Sequence, residues 1–345
     1  MQVRFFTGAD ASRWDDFVRR HPHGSPFHLT GWKSAMEATF GYEPKYLLAE
    51  DNGQLVAVLP LFLISNFLAG RILLSTPFAV YGGVLASSPE ALLAVQQELE
   101  RLGRELRVDY TELRNAWPDQ CLGYAPVSRY VTFTQELPST EEEILETIPR
   151  KTRRMVRKSL EHAFKVRLTR KTGDFERLYL TNLRKLGTPA FPHKHFENLL
   201  KFLGEDVNVC EVVLDDQVVA AVMTIYFRDQ VLPYYGAADS AMNAFSPTSF
   251  MYFDQMRRSA ASGYKIYDFG RSKKDDERDA GSYGFKIHWG MVERQLPYEI
   301  LLGRRKELPN LTPKNPKFRW AMDLWRKAPL PVTKALGPLF IRMVP

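Results

Sequence analysis

Cysteine is scarce: Cys121 and Cys210 are the only two in 345 residues. That excludes a disulfide framework and a cysteine zinc cluster, and it fits a reducing compartment. Long hydrophobic runs are missing too. The most apolar stretch, Leu55 to Gly70, is broken by Pro60 and Asn66 and falls short of the ~20 apolar residues that span a bilayer. It reads as two strands and a turn. The start, Met1 to Asp10, has no charged segment followed by an apolar run, so no targeting segment is expected and a cytoplasmic location follows. Gly281-Ser-Tyr-Gly284 is neither a dinucleotide fingerprint nor a phosphate loop, and no Gly-x-Ser-x-Gly elbow occurs. His193 and His195 lack a third ligand, so no metal is expected. What remains is 45% hydrophobic and 25% charged, the composition of a soluble globular chain long enough for two domains.

The charge is unevenly spread. The net charge is +7, yet residues 149–171 carry ten Lys/Arg against one Glu, and residues 303–345 carry ten against two acids. The rest of the chain is therefore mildly acidic. Two basic segments on an acidic body imply an anionic partner: phosphate, nucleic acid or a membrane surface.

A repeat spans roughly half the chain. Residues 46–62 read strand, acidic turn, strand, and residues 209–225 read the same, with turns at Asp51-Asn52-Gly53-Gln54 and Asp215-Asp216-Gln217. Tyr81-Gly82-Gly83 and Tyr234-Tyr235-Gly236-Ala237 then close a strand in each half. Ser88-Pro89 and Ser246-Pro247 each place a Ser N-cap and a Pro at the first helical position, and each helix feeds a strand, at 109–114 and 265–270. Helices around Trp14, Phe17 and Val18, and around Phe175, Leu178 and Tyr179, open the two halves. Hairpin-rich sheets covered by helices define an α+β fold. The expected division is residues 1–137, residues 138–302 with a basic helix over 149–161, and a basic tail over 303–345.

Three places are candidates for chemistry. On the basic helix, Arg150, Arg154 and Arg157 share one face, flanked by Lys151, Arg153 and Lys158, and guanidinium groups so arrayed suit phosphate. At Ser246-Pro247-Thr248-Ser249 a helix start offers backbone N–H groups to an anion or a developing oxyanion. The third is Tyr267 to Gly290: a strand ending in Asp268 and Arg271, a charged loop over 273–279, and a second strand starting at Lys286, with His288 on the same side and buried. The tail places Phe318, Met322 and Trp325 on one helical face among Lys317, Arg319, Arg326 and Lys327. Such a segment either docks back on the protein or lies on an anionic membrane surface as a peripheral contact.

The doubled unit, the helix Lys151-Thr-Arg-Arg-Met-Val-Arg-Lys158 between its halves and the late pair Phe285-Lys286 together resemble the FemAB family. The second half also looks like the acetyltransferase-like domain named after BioF. The stretch Asn315-Pro-Lys-Phe to Gly337-Pro resembles the FemAB-related branch associated with PEP-CTERM/exosortase systems. The resemblance implies two tandem GNAT-like domains and acyl transfer: an aminoacyl or acyl group moved from aminoacyl-tRNA or acyl-CoA to an amine on an anionic acceptor, in envelope or exopolysaccharide metabolism, with no resident cofactor. Lys286 matches the family's Phe-Lys position at the transfer site, and Asp268 and Arg271 match the preceding strand end. Asp268 is the candidate general base, Lys286 the charge stabiliser, and backbone N–H groups near Tyr235 to Ala237 or at Ser249 the oxyanion donors. Two family features are missing: the long helical hairpin of some FemA-type proteins, and the GNAT pyrophosphate signature. The rival expectation is a non-catalytic protein that binds a polyanion or a membrane surface; a third is nucleic-acid binding alone.

Overall fold

A computed structural model describes residues 1–274, 280–309 and 316–343. The chain forms two compact units. The first comprises residues 1–130, 295–312 and 339–345, the second residues 131–294 and 313–338.

In the first unit, helices Ala11–Arg20 and Thr30–Phe40 precede the hairpin Leu47–Asp51 and Gln54–Leu59. Trp14 and Val18 of the first helix are buried, which explains why those apolar positions recur at helical spacing. Pro60 has no N–H to give a ladder, and the strand breaks there. Its continuation Phe62–Asn66 leaves the four-stranded sheet (Gln2–Phe5, Leu47–Asp51, Gln54–Leu59, Leu85–Ala86) for a six-stranded one with Gly70–Leu74 and Tyr110–Leu113. Tyr81 to Gly83, expected to end a strand, lie in irregular chain. A Cβ on Gly83 would stand 1.8 Å from Asn115 Oδ1, so close packing of a loop, not strand geometry, requires glycine there. Helix Pro89–Glu105 starts as expected, with Ser88 Oγ accepting from the Ala91 N–H.

The second unit has a seven-stranded sheet in the order Lys165–Thr169, Val207–Leu214, Gln217–Phe227, Gln230–Ala238, Ile266–Lys273, Tyr130–Glu136, Val292–Gln295. Helices Gly173–Leu186 and His193–Leu203 precede its central hairpin, and helix Pro247–Ala261 joins Gln230–Ala238 to Ile266–Lys273. The Thr140–Glu143 capping box forms at helix Glu141–Thr147.

The cut expected at residue 137 is displaced in both directions. Tyr130–Glu136, read as the end of the first half, is a strand of the second unit's sheet, and Tyr298–Leu302 pairs with Tyr110–Leu113 and Ala125–Val127 in the first unit's sheet. Each strand continues its own hydrophobic pattern, but pairing partners distant in sequence leave no local trace. The tail is also more structured than expected. It forms helices Pro316–Lys327 and Leu330–Ile341, and it docks on the protein. The Met322 carbonyl comes within 3.1 Å of where a Cβ of Gly187 would be, and Arg184 Nη1 donates to the Ala328 carbonyl at 3.4 Å. The side chains of Lys317, Phe318 and Arg319 lie outside the described residues, as does the expected charged loop from Asp275 to Asp279.

Candidate active site

The site forms where the second sheet opens. Strands Gln230–Ala238 and Ile266–Lys273 run parallel, but they pair only at Gln230↔Ile266 and Val231↔Tyr267. Beyond these pairs the first strand runs on to Ala238, held on its other side by Gln217–Phe227. The register on that side shifts, with Thr224 opposite Pro233 and Met223 opposite Tyr235, so Tyr234 is an extra, bulged residue. Among the described residues no strand pairs with this edge beyond Val231, which is where backbone N–H groups could bind a ligand.

The facing strand carries a clamp. Gly270 sits at φ +67 within Ile266–Lys273, a conformation that favours glycine. Its N–H donates to Asp268 Oδ1 at 2.6 Å, and its carbonyl accepts from Lys286 Nζ at 3.0 Å. Lys286 also donates to the Arg271 carbonyl at 2.7 Å, and its ammonium stands 5.4 Å from the centre of the Phe133 ring. Both ionisable side chains are buried, Asp268 at 3% and Lys286 at 7% exposure. A carboxylate and an ammonium in such a place are costly unless hydrogen-bonded, and both find partners at this one glycine.

A hydroxyl closes the site from the other face. A Cβ added to Gly236 would come within 2.6 Å of Tyr252 Oη, on helix Pro247–Ala261. The Tyr252 ring lies among Phe269, Phe285 and Trp289 at centroid distances of 5.0, 5.6 and 5.7 Å. Burial pushes its hydroxyl up to about 12, so it is protonated at pH 7. No hydrogen bond occupies it among the described residues.

Residues 150–286 match the acetyltransferase (GNAT) domain family. The solved structure of FemX has the same fold over 88% of this chain and 98% of its own, at 16% identity and a TM-score of 0.72. The structure of L-PGS from Bacillus licheniformis covers 95% and 97% at 10% identity and a TM-score of 0.57. A tandem GNAT protein from the clavulanic acid biosynthesis pathway covers 87% and 98% at 9% identity and a TM-score of 0.53. No curated protein sequence matches the chain.

Over this matched stretch and the residues next to it, the structure sorts the residues expected to act. Asp268 and Lys286 meet at Gly270, but Lys286 lies on a helix, Ala280–His288, not on a strand. Phe285, Ile287 and Trp289 imitate a two-residue period, whereas Tyr283, Lys286 and Trp289, three apart, form the inward face. His288 accordingly faces solvent instead of being buried. Arg271 is half-buried and contributes its carbonyl to the clamp.

The basic helix forms over Arg150–Ser159 with Val156 and Ser159 inward. Thr152 donates to the His288 carbonyl, and the Gly290 turn packs on Thr147 and Pro149, so this helix abuts the Lys286 helix. Arg150, Lys151, Arg154 and Arg157 are exposed and have no carboxylate partner among the described residues. Arg153 is different: it donates to the Ile148 and Glu146 carbonyls at 3.1 and 3.0 Å and serves to cap the preceding helix.

Two expected binding residues are used elsewhere. The Tyr235 ring sits under helices Gly173–Leu186 and His193–Leu203, with its hydroxyl hydrogen-bonded to His195 Nε2 at 3.1 Å. Only its backbone is at the opening. At Ser249 the N–H is spent on the Ser246 carbonyl at 3.0 Å, which the Phe250 N–H shares at 3.2 Å. Ser246 itself has φ +57 and does not cap, and its buried hydroxyl has no partner. The pair His193 and His195 is also separated: His193 binds Glu176 and Glu197, while His195 faces Tyr235.

Gly270 and Tyr252 were not among the residues expected to act, and Gly236 entered only through the backbone N–H groups near Tyr235 to Ala237. Helix Pro247–Ala261 is apolar on most of its surface, with Phe250 to Phe253 all buried, so nothing in its periodicity singles out one tyrosine. The two glycines act through backbone placement that depends on partners far along the chain.

Proposed function

We propose that the protein is an N-acyltransferase that moves an aminoacyl or acyl group from an activated donor to an amine on an anionic acceptor. The observation that supports this most directly is the open sheet with the Asp268–Gly270–Lys286 clamp on one strand and Gly236 with the free Tyr252 hydroxyl at the other. A neutral amine attacks the ester or thioester carbonyl, and charge develops on the carbonyl oxygen. Backbone N–H groups near Tyr235 to Ala237, on the strand edge that the facing strand leaves uncovered, stabilise it, each contributing ~10²–10³ in rate. The buried Lys286 ammonium holds the facing strand and favours the same negative charge. Tyr252 gives its proton to the leaving oxygen or sulfur and recovers one from the attacking nitrogen, so the enzyme ends unchanged. Asp268 fixes Gly270, and its carboxylate is the alternative to Tyr252 as acceptor of the amine's one proton, which it then passes to the leaving group. Holding both substrates together supplies much of the remaining acceleration.

The start of helix Pro247–Ala261 weighs on the choice of donor. Pro247 has no N–H, and those of Ser249 and Phe250 both go to Ser246, leaving Thr248 alone to meet a pyrophosphate. That favours an aminoacyl ester over acyl-CoA. The exposed, unpaired Arg150, Arg154 and Arg157 suit a phosphorylated donor or acceptor, and with the FemAB resemblance they support a role in envelope or exopolysaccharide metabolism.

The test is to incubate the protein with an amine acceptor and either labelled aminoacyl-tRNA or labelled acyl-CoA, and to follow loss of the acyl group. Lys286→Met should lower transfer ~10²-fold or more while circular dichroism stays unchanged. Absence of transfer from either donor would leave the rival reading, a polyanion- or membrane-surface-binding protein. Exposed Leu324, Val332 and Leu336 beside Lys327 and Lys334 in the tail favour a membrane surface, and co-sedimentation with anionic vesicles measures it.

A further inference from the structure

We propose that the first unit holds a second ligand site, for an organophosphate with a small apolar body. It is a cavity of about 520 Å³ between the end of helix Pro89–Glu105 and strand Tyr298–Leu302. That volume lies in the range of small-molecule sites, and the proposal does not depend on the acyl-transfer reading.

The floor is apolar: Gly103 and Val108 are buried, and Leu301 and Leu302 are half-exposed. The rim is cationic, with Arg104, Arg107 and Arg304 opposed by Glu100 in the lining and Asp109 behind it. Arg304 is paired with Asp109 at 3.0 Å, and Arg104 comes no nearer than 3.9 Å to Glu100. The Arg107 side chain has no partner among the described residues. With Arg304 held by Asp109, the guanidinium groups of Arg104 and Arg107 are left to meet a ligand, and two of them together match a phosphate better than a single carboxylate.

The backbone at Arg107 is the most telling feature. The helix ends in a paired turn in which the Arg107 N–H donates to the Arg104 carbonyl and the Val108 N–H to the Gly103 carbonyl, each at 3.1 Å. The residue after the cap in this turn is usually glycine, because it must adopt positive φ; Arg107 does so at φ +50. Attraction of a cation to a helix C-terminus would be met by an arginine anywhere in the last turn. It does not require a strained one with its guanidinium unpaired, and such strain points to function. A further sign is Thr111, 1% exposed at the cavity floor, whose hydroxyl has no partner.

Isothermal titration of the full chain with octyl phosphate, inorganic phosphate and octanol tests the proposal. Octyl phosphate should bind one to one, at least ~10-fold more tightly than inorganic phosphate or octanol. Arg107→Asn should weaken octyl phosphate ~10-fold or more, without lowering the unfolding temperature, because asparagine tolerates positive φ. The proposal is overturned if octyl phosphate does not bind, if octanol or inorganic phosphate binds as well, or if Arg107→Asn titrates like the parent protein.

Discussion

A glycine without a side chain and a tyrosine without a partner define one wall of the proposed active site. Tyr252→Phe removes a proton carrier and leaves the ring in its aromatic surroundings, so transfer should fall ~10²-fold or more with little change in thermal stability. Gly236→Ala pushes a methyl group to within 2.6 Å of the Tyr252 hydroxyl and should destabilise the protein by about 1–3 kcal/mol. In the Tyr252→Phe background that cost should shrink, since the obstructing oxygen is gone. Additive stabilities in the double-mutant cycle, read by chemical denaturation, would show that the two groups do not touch. Lys286 and Asp268 entered as candidates through the FemAB resemblance, at the Phe-Lys pair and the strand end before it. Their meeting point was not legible in the sequence, because Gly270 gains its meaning from a φ that only the folded strand displays.

At the scale of the element, the basic helix was read correctly in position, since a period of 3.6 is a local property. The roles of its arginines were not separable, because spacing cannot reveal which guanidinium finds a carbonyl. Substituting Arg154 and Arg157 by Ala should weaken binding of the anionic substrate and flatten its salt dependence, leaving the melting temperature near that of the parent. Arg153→Ala should do the reverse: it strips the cap from Ile148 and Glu146, lowers stability by about 1 kcal/mol, and leaves the salt slope of binding intact. Fluorescence titration at several salt concentrations, alongside thermal melts, distinguishes the two. The Lys286 helix shows the opposite failure. Gly281 and Gly284 lower helix propensity, and alternating apolar residues simulate a strand, so the local signals pointed the wrong way until packing on Tyr252 and Phe269 decided.

Over the whole molecule, the doubled order of elements was visible in the sequence, but the exchange of Tyr130–Glu136 and Tyr298–Leu302 was not. Residues 1–137 produced alone should therefore fail to fold: Tyr110–Leu113 and Ala125–Val127 lose the strand that lies between them, and size-exclusion chromatography should show aggregate. A monomeric, cooperatively melting fragment would refute this. Each unit also buries a neutral histidine. His28 donates Nε2–H to the Gly83 carbonyl at 3.1 Å, and burial holds it down to about 3; His195 is likewise held near 3 by burial. The unfolded chain takes up these protons near pH 6.5 and the folded one does not, so stability is full above pH 6.5 and falls as the pH drops toward 3. At pH 5 each histidine should cost about 2 kcal/mol. Denaturant unfolding at pH 7 and pH 5 measures the loss, and His195→Gln should remove the second unit's share.

The strand Tyr298–Leu302 also carries a consequence for biosynthesis. Translation begins at the amino terminus, and early domains ordinarily settle while later ones are still being made. Here the leading half reaches the ribosome exit with a gap between two of its strands, and the missing piece is encoded beyond nearly all of its neighbour. Residues 131–294 of the second unit must be threaded out before the first can close, so the nascent chain carries an open edge for about half of its synthesis.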